Sequence, residues 1–224
     1  KDRVQALQQL KIHLKICGLR RPEDVAYANE VQPDFAGFVF ASSKRQVTRE
    51  EAAELVEQLD PRIHTVGVFV DQPVDFIAEL LAAGVIEYAQ LHGSEDAAYI
   101  EALRKRTALL GKTARIIKTV KVGSTADLEN ISEIDCEYLL LDAWSKEGEA
   151  AGGNGRTFDW SLIKALEKPF FLAGGLTVDN VQQAVRMTSP YGIDASSCME
   201  TEDCKDLNKM KAFAQAVRVT ETNN

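Results

Sequence analysis

The amino-acid sequence predicts a single closed (β/α)8 barrel, and three observations support this fold class. Short apolar runs recur along almost the whole chain of 224 residues. Their starts lie roughly 20 to 30 residues apart, the length of one strand plus one crossover helix. The runs are rich in Val, Ile, Leu and Phe, as strands of a parallel sheet covered on both faces should be. The segments between them carry helical periodicity, and a doubly wound open sheet is the alternative fold.

The apolar runs place eight strands. They span residues 12–16, 35–40, 64–70, 87–91, 115–120, 137–141, 169–172 and 191–194. Helical periodicity follows the second and the third of these runs. Thr48 with Glu51, and Ser197 with Glu200, have the spacing of a capping box, which predicts a helix start at each pair. Gly84 is a candidate end for the third helix.

We expect one domain, because no Pro/Gly-rich linker or low-complexity segment interrupts this pattern. Residues 12–218 form the barrel, residues 1–11 are an N-terminal extension or the remnant of a linker, and residues 219–224 are a polar tail. No apolar run is long enough to span a bilayer, and no secretory signal is recognisable at the start.

Charge and cysteine usage exclude several classes of function. The net charge of −8 argues against a general nucleic-acid binder, which would show a basic stripe. The four cysteines form no C-x-x-C pair and have no histidine at zinc-finger spacing, so no structural metal site is expected. Free cysteines fit a reducing, cytoplasmic setting.

Two chemically active side chains stand at predicted strand ends, where barrels of this kind place their functional groups. Cys17 ends the first strand and is followed by Gly18, which lets the chain turn away behind it. Asp142 follows three leucines at the end of the sixth strand. A thiolate with a lowered pKa is a nucleophile or a base, and a half-buried carboxyl is a general acid. A small buried thiol and a loop-capping carboxylate are the alternatives.

The loops after the seventh and eighth strands have the composition of a phosphate site. Gly174 and Gly175 follow the seventh strand, and Ser196 and Ser197 follow the eighth. Barrels often bind a phosphate between these two loops, because glycines let backbone N–H groups approach an anion and a helix N-terminus adds its dipole. A simple tight turn at the glycines is the alternative.

Three polar residues at other strand ends are candidate ligands for the rest of a substrate. Arg45, after the second strand, has the geometry to hold a carboxylate by a bidentate pair. Gln90 and His92 end the fourth strand, and the imidazole can donate a hydrogen bond to a ligand or to a loop carbonyl. The Gly-rich segment with Gly153, Asn154 and Gly155 is a candidate lid, or otherwise a surface loop.

The full series of motifs resembles the phosphoribosylanthranilate isomerase family. The resemblance runs in order from about Lys15 to Val217 and rests on Lys15-Ile-Cys-Gly, Phe38-Val-Phe with Ser43-Lys-Arg, Val66-Gly-Val-Phe, Gln90-Leu-His-Gly, Leu141-Asp, Gly152-Gly-Asn-Gly with Phe158-Asp-Trp, Leu172-Ala-Gly-Gly-Leu with Asp179-Asn-Val, and Gly192-Ile-Asp-Ala-Ser-Ser. Each motif alone is weak, whereas the ordered series is specific. This chain departs from the common pattern at Asn154, often Thr or Ser, and at Cys198, often Gly or Ala.

The resemblance implies a TIM-barrel isomerase of tryptophan biosynthesis without metal or organic cofactor. The reaction is the Amadori rearrangement of N-(5-phosphoribosyl)anthranilate to 1-(2-carboxyphenylamino)-1-deoxyribulose 5-phosphate. The family's general base corresponds to Cys17 and its general acid to Asp142. The resemblance implies that the phosphate lies at Gly174, Gly175, Ser196 and Ser197, and the anthranilate near Arg45 and His92, with Gln90 beside them. Some relatives are fused to indole-glycerol-phosphate synthase, so fusion to that enzyme, or association with it, is a possible arrangement.

Two rival functions stay open from the sequence. A related isomerase of histidine biosynthesis performs the same rearrangement, but it resembles a two-fold repeated barrel and has a carboxylate where this chain has Cys17. A non-catalytic phosphate-binding module would keep the glycine and serine loops, yet it would not need Cys17 and Asp142. Binding of the substrate without its consumption would identify such a module.

Overall fold

Eight parallel strands close into a barrel in the computed structural model, which describes residues 11–143, 157–163 and 166–219. The strands are β1 (His13–Cys17), β2 (Phe35–Val39), β3 (His64–Phe69), β4 (Tyr88–Leu91), β5 (Arg115–Val122), β6 (Tyr138–Ala143), β7 (Phe170–Leu172) and β8 (Gly192–Ala195). Each strand pairs with its neighbours in chain order, and β8 pairs with β1. The predicted closed (β/α)8 barrel is therefore confirmed, and the open sheet is excluded.

Six α-helices accompany the strands in the described residues. They are α1 (Pro22–Val31), α2 (Arg49–Glu57), α3 (Val74–Ala82), α4 (Ala97–Leu109), α5 (Val181–Thr188) and α6 (Leu207–Val219). Two short 3-10 helices, Thr125–Leu128 and Ile131–Glu133, connect β5 to β6 in place of an α-helix. None of the helices described is both long enough and apolar enough to cross a bilayer.

The helix boundaries test the local signals in the sequence. Thr48 and Glu51 form the predicted capping box at the start of α2, and Gly84 follows α3 with φ +73°. The Ser197–Glu200 capping box is wrong. Ser197 begins a 3-10 helix of three residues, Ser197–Met199, and the Glu200 carboxylate forms ion pairs with Arg45 and Lys205 instead. After it, a two-stranded ribbon of β9 (Glu200–Thr201) and β10 (Cys204–Lys205) leads to α6.

The strand register places reactive side chains side by side at the carboxyl ends of the strands. Two such pairs are Lys15 with Asp194 and Lys121 with Asp142, whereas Cys17 is in register with Gly37, which has no side chain. Neighbouring positions in register direct their side chains to the same face of a sheet. The ring therefore places these groups inside the mouth of the barrel before any loop contributes.

The apolar core has two parts, separated by the barrel wall. One part fills the barrel interior below the mouth with Phe35, Val66, Tyr88, Ile117, Leu140, Phe171 and Ala173. The other lies between the strands and the helices outside them, and includes Leu141 and Phe213. Because the interior is filled with side chains, a ligand has access only to the mouth.

Leu140→Ala should test the interior layer. Leu140 is fully buried in this cluster, so we expect the substitution to lower the free energy of unfolding by about 2–5 kcal/mol. Leu109→Ala is the matched control, because Leu109 is 79% exposed at the end of α4 and should change stability by no more than about 0.5 kcal/mol. Equal losses in the two variants, measured by urea unfolding, would contradict this description of the core.

Candidate active site

Cys17 lies at the end of β1 beside a buried ion pair. Lys15, two residues earlier on the same strand, is fully buried, and its Nζ lies 2.7 Å from Asp194 Oδ1 on β8. The positive charge of the same ammonium also acts on the Cys17 thiol. Burial raises the pKa of the Cys17 thiol, and the positive charge of Lys15 opposes this effect. A cation is therefore in place to stabilise a thiolate at this position.

Two glycines make room for this arrangement. A Cβ atom at Gly37 would lie 2.8 Å from the Cys17 sulfur, so a side chain there would displace the thiol. Gly18 has φ +85°, and a Cβ at this position would lie 2.4 Å from Cδ of Arg45. The turn after β1 therefore needs glycine both for its backbone conformation and for the close approach of Arg45.

Asp142 lies near the end of β6 in a cluster with a lysine and a histidine. Lys121 of β5 forms an ion pair with Asp142 Oδ2, and its Nζ lies 3.0 Å from His92 Nε2. His92 Nε2 is 3.6 Å from the same carboxylate oxygen. The Asp142 side chain is 13% exposed and that of Lys121 is 30% exposed, so both are accessible at the mouth.

His92 is a neutral imidazole whose tautomer follows from its neighbours. Burial, and then the positive charge of Lys121, lower the pKa of His92 to about 4. Because Lys121 can only donate, Nε2 accepts and Nδ1 carries the proton. Gln90 Nε2 is 3.1 Å from Nδ1, while Gln90 Oε1 is buried without a hydrogen-bond partner. Turning the Gln90 amide over would let Oε1 accept from Nδ1, and the Thr119 hydroxyl oxygen, 3.0 Å from Nδ1, is a further acceptor.

Arg45 is held by a carboxylate of the protein. Its Nε and Nη2 each donate to Glu200 at 2.7 Å, which is a bidentate pair. Lys205 Nζ lies 2.8 Å from Glu200 Oε1 and donates to the Ser196 hydroxyl at 3.0 Å. The Ser196 hydroxyl in turn donates to the Cys17 carbonyl at 2.8 Å. This network joins the loops after β1, β2 and β8 into one unit.

The two predicted phosphate loops are placed side by side, because β7 and β8 are neighbours in the barrel. Gly174 and Gly175 have φ +89° and +65°, and a Cβ at Gly174 would lie 2.8 Å from Asp142 Oδ1. The helix that follows these glycines, α5, begins at Val181. Ser196 and Ser197 lie at the start of the 3-10 helix after β8.

Several polar residues of the site have no functional signal in the sequence patterns described above. Lys15, Lys121, Glu200 and Lys205 form the ion pairs described above, and Asp194 completes the first of them. The missed signal was a lysine inside an otherwise apolar strand, since such an ammonium is buried and needs a carboxylate nearby. The candidate lid residues Gly153, Asn154 and Gly155 lie outside the described residues.

One further carboxylate, that of Glu95, ties the loops around His92 together. Its two oxygens accept from the backbone N–H groups of Asp71 and Gly93, at 2.8 and 2.9 Å. The ammonium of Lys118, from β5, also donates to it at 2.9 Å. The Glu95 side chain is completely buried, so this contact is shielded from water.

The barrel is closed, and a thiol and a carboxylate lie at the carboxyl ends of β1 and β6, each beside a lysine. These features define a (β/α)8-barrel protein with a candidate acid–base site. The family model described as N-(5′-phosphoribosyl)anthranilate (PRA) isomerase matches residues 14–216. The chain belongs to this family.

Individual relatives agree with the family match. An N-(5′-phosphoribosyl)anthranilate isomerase of Acetivibrio thermocellus is 44% identical over 212 residues, covering 92% of this chain and 95% of that protein. The crystal structure of the phosphoribosyl anthranilate isomerase of Thermotoga maritima is 31% identical, with a TM-score of 0.81, covering 93% of this chain and 99% of that one. A phosphoribosyl anthranilate isomerase in complex with reduced 1-(o-carboxyphenylamino)-1-deoxyribulose 5-phosphate is 29% identical, with a TM-score of 0.77 and the same coverage.

Glu200→Gln should change how stability depends on pH. Burial would raise the pKa of Glu200, but Arg45 and Lys205 lower it from 4.5 to about 2. A lowered pKa contributes stability that is complete above pH 4.5 and is lost as the pH falls toward 2. The variant should therefore lose less stability than the wild type on acidification through this window, although it is less stable at neutral pH.

Urea unfolding between pH 2 and pH 7 measures this difference, since the window is set by the ordinary and the lowered pKa of Glu200. Glu54→Gln, on the exposed surface of α2, is the control and should follow the wild-type curve. A Glu200→Gln curve parallel to that of the wild type would show that the network does not hold the carboxylate ionised.

Proposed function

We propose that this protein isomerises N-(5-phosphoribosyl)anthranilate to 1-(2-carboxyphenylamino)-1-deoxyribulose 5-phosphate, a step of tryptophan biosynthesis, by general acid–base catalysis. Membership of the isomerase family supports the reaction. The observation that carries the mechanism is the placement of Cys17 and Asp142 on strands three steps apart in the barrel, each with a lysine beside it. One small substrate in the mouth can contact both.

The first step is opening of the ribose ring. Asp142 gives a proton to the ring oxygen, the bond from this oxygen to C1′ breaks, and the lone pair of the anilino nitrogen forms the C1′=N double bond. The carboxyl group lies at the mouth beside Gly174, whose lack of a side chain permits the close approach of Asp142. Proton transfer by a positioned acid of this kind typically contributes about 10²–10⁴-fold to the rate.

The second step is removal of the C2′ proton by the Cys17 thiolate. The electron pair of the C–H bond moves toward the positively charged imine, which gives an enolamine that tautomerises to the ketose product. The thiolate is a usable base only if its negative charge is stabilised, and the Lys15 ammonium supplies this stabilisation inside the barrel. Asp194 keeps Lys15 protonated despite its complete burial, since the carboxylate raises the pKa of the ammonium.

The ends of the substrate fit the remaining residues. The phosphate would lie between the loops with Gly174, Gly175, Ser196 and Ser197, which belong to neighbouring strands. The anthranilate carboxylate would bind the second fork of Arg45, formed by Nη1 and Nη2, because Nε and Nη2 already donate to Glu200. His92 would border the aromatic ring of the anthranilate. Gln90, which is only 1% exposed, would act by holding His92.

Three expectations from the sequence stay predictions. Fusion to, or association with, indole-glycerol-phosphate synthase rests on the resemblance alone, and so does a role for Gly153, Asn154 and Gly155 as a lid. A cytoplasmic location rests on the free cysteines.

Cys17→Ala and Asp142→Asn should each lower kcat by about 10²–10⁴-fold, because each variant lacks one proton-transfer group. The assay follows the loss of anthranilate fluorescence from freshly generated phosphoribosylanthranilate. Binding of the reduced product analogue should persist in both variants, since neither residue is proposed to hold the phosphate or the carboxylate. Near-normal turnover in either variant would remove that residue from the mechanism. A folded wild type that binds the substrate without consuming it would instead indicate a non-catalytic binding module.

Lys15→Met should raise the pKa of the Cys17 thiol, because the variant lacks the ammonium that stabilises the thiolate. The measurement is the rate of alkylation by iodoacetamide against pH, in a chain whose other three cysteines are replaced by alanine. Lys118→Met is the matched control, since Lys118 forms a second buried ion pair, with Glu95, on a different strand. An equal change in both variants would mean that a general loosening of the barrel, and not the Lys15 charge, sets the thiol pKa.

A further inference from the structure

Lys121 occupies a position at the mouth that the mechanism above does not use. It lies on β5 in register with Asp142 of β6, so the strand pairing itself brings the two side chains together. Its ammonium bridges two groups, since it donates to Asp142 Oδ2 and to His92 Nε2. Asp142 is the proposed general acid, and His92 is proposed to border the anthranilate ring.

The protonation states in this cluster follow from geometry. His92 has its Nε2 lone pair toward Lys121, because an ammonium has no acceptor, and the low pKa of this imidazole keeps it neutral. Lys121 is therefore the proton-bearing group in direct contact with Asp142. This ion pair places an N–H bond of the ammonium against the carboxylate that is proposed to deliver a proton in ring opening.

We propose that Lys121 supplies the proton that Asp142 delivers to the substrate, and thereby sets the alkaline limit of the reaction. This inference rests on the proposed role of Asp142 as the general acid. Lys121 acts through Asp142 and does not itself contact the reacting atoms, so it is a positioning residue that also holds the proton.

The enzyme groups gain and lose equal numbers of protons over one turnover. The Nζ–H bond of Lys121 breaks as an O–H bond forms on Asp142, and this proton passes to the ring oxygen when the C1′–O bond breaks. Cys17 takes up one proton from C2′ in the second step. Solvent returns a proton to Lys121, which is partly exposed, and removes the one on Cys17. The electrons stay within the substrate, so no oxidant or reductant is needed.

Other charges near this cluster are already compensated by partners. Lys15 and Lys118 also act on His92, and they are paired with Asp194 and with Glu95. On the β7 side, Gly174 packs against Asp142 and brings no titratable group. Within the described residues, Lys121 is thus the titratable cation in contact with Asp142.

The test compares Lys121→Met and Lys121→Arg in pH profiles of kcat and kcat/KM. Methionine removes the proton store, so turnover at alkaline pH should fall by about tenfold or more and the alkaline limb should move to lower pH. Arginine keeps the charge and the hydrogen bonds but does not release a proton in proteins, so it should not restore the alkaline limb. Lys105→Met, on the exposed face of α4, is the control and should keep the wild-type profile.

Each outcome decides between specific alternatives. If Lys121→Arg restores the alkaline limb in full, Lys121 does not supply a proton and acts only as a positioning charge. If Lys121→Met keeps the wild-type pH profile, Lys121 has no role in the reaction. Binding of the reduced product analogue by both variants checks that the site is intact. Asp142→Asn separates this inference from the proposed function. If Asp142→Asn keeps its turnover, Asp142 is not the general acid. If Asp142→Asn is inactive and Lys121→Met turns over normally, only the role of Lys121 is overturned.

Discussion

The register of the closed parallel ring is the constraint on which the site depends. Strand pairing sets Lys15 level with Asp194, Cys17 with Gly37, and Lys121 with Asp142. A slip of one residue would turn every side chain of a strand to the opposite face, so the apolar interior and the ion pairs are specified together. The filled interior, with Phe171 and Leu140 below the mouth, makes such a slip costly.

Each half of the mouth has a lysine ammonium beside a group that is proposed to transfer a proton, but the two transfers run in opposite directions. On the β1 side, a buried ammonium stands beside a thiol and favours its loss of a proton. On the β6 side, an ammonium stands beside a carboxylate and holds a proton close to it. The proposed isomerisation needs one proton removed and one proton delivered within a small volume, and the environment of each group favours its own direction of transfer.

The sequence predicted the fold well, because buried parallel strands are continuous apolar runs that are visible without tertiary information. It placed Cys17 and Asp142 at the mouth for the same reason, since both directly follow such runs. It missed Lys121 and Glu200, because their roles depend on partners from other strands, and it read Glu200 as part of a local capping box. Contacts between residues such as Arg45 and Glu200, 155 positions apart, leave no local pattern.

The buried carboxylate of Glu95 has a mechanical consequence. It joins the loop after β3, the loop after β4 and strand β5 through Asp71, Gly93 and Lys118. Backbone segments that share one acceptor are coupled, because displacing any of them leaves a buried charge less well solvated. This side of the mouth should therefore be stiff before a ligand arrives, and little of the binding energy would be spent on ordering it.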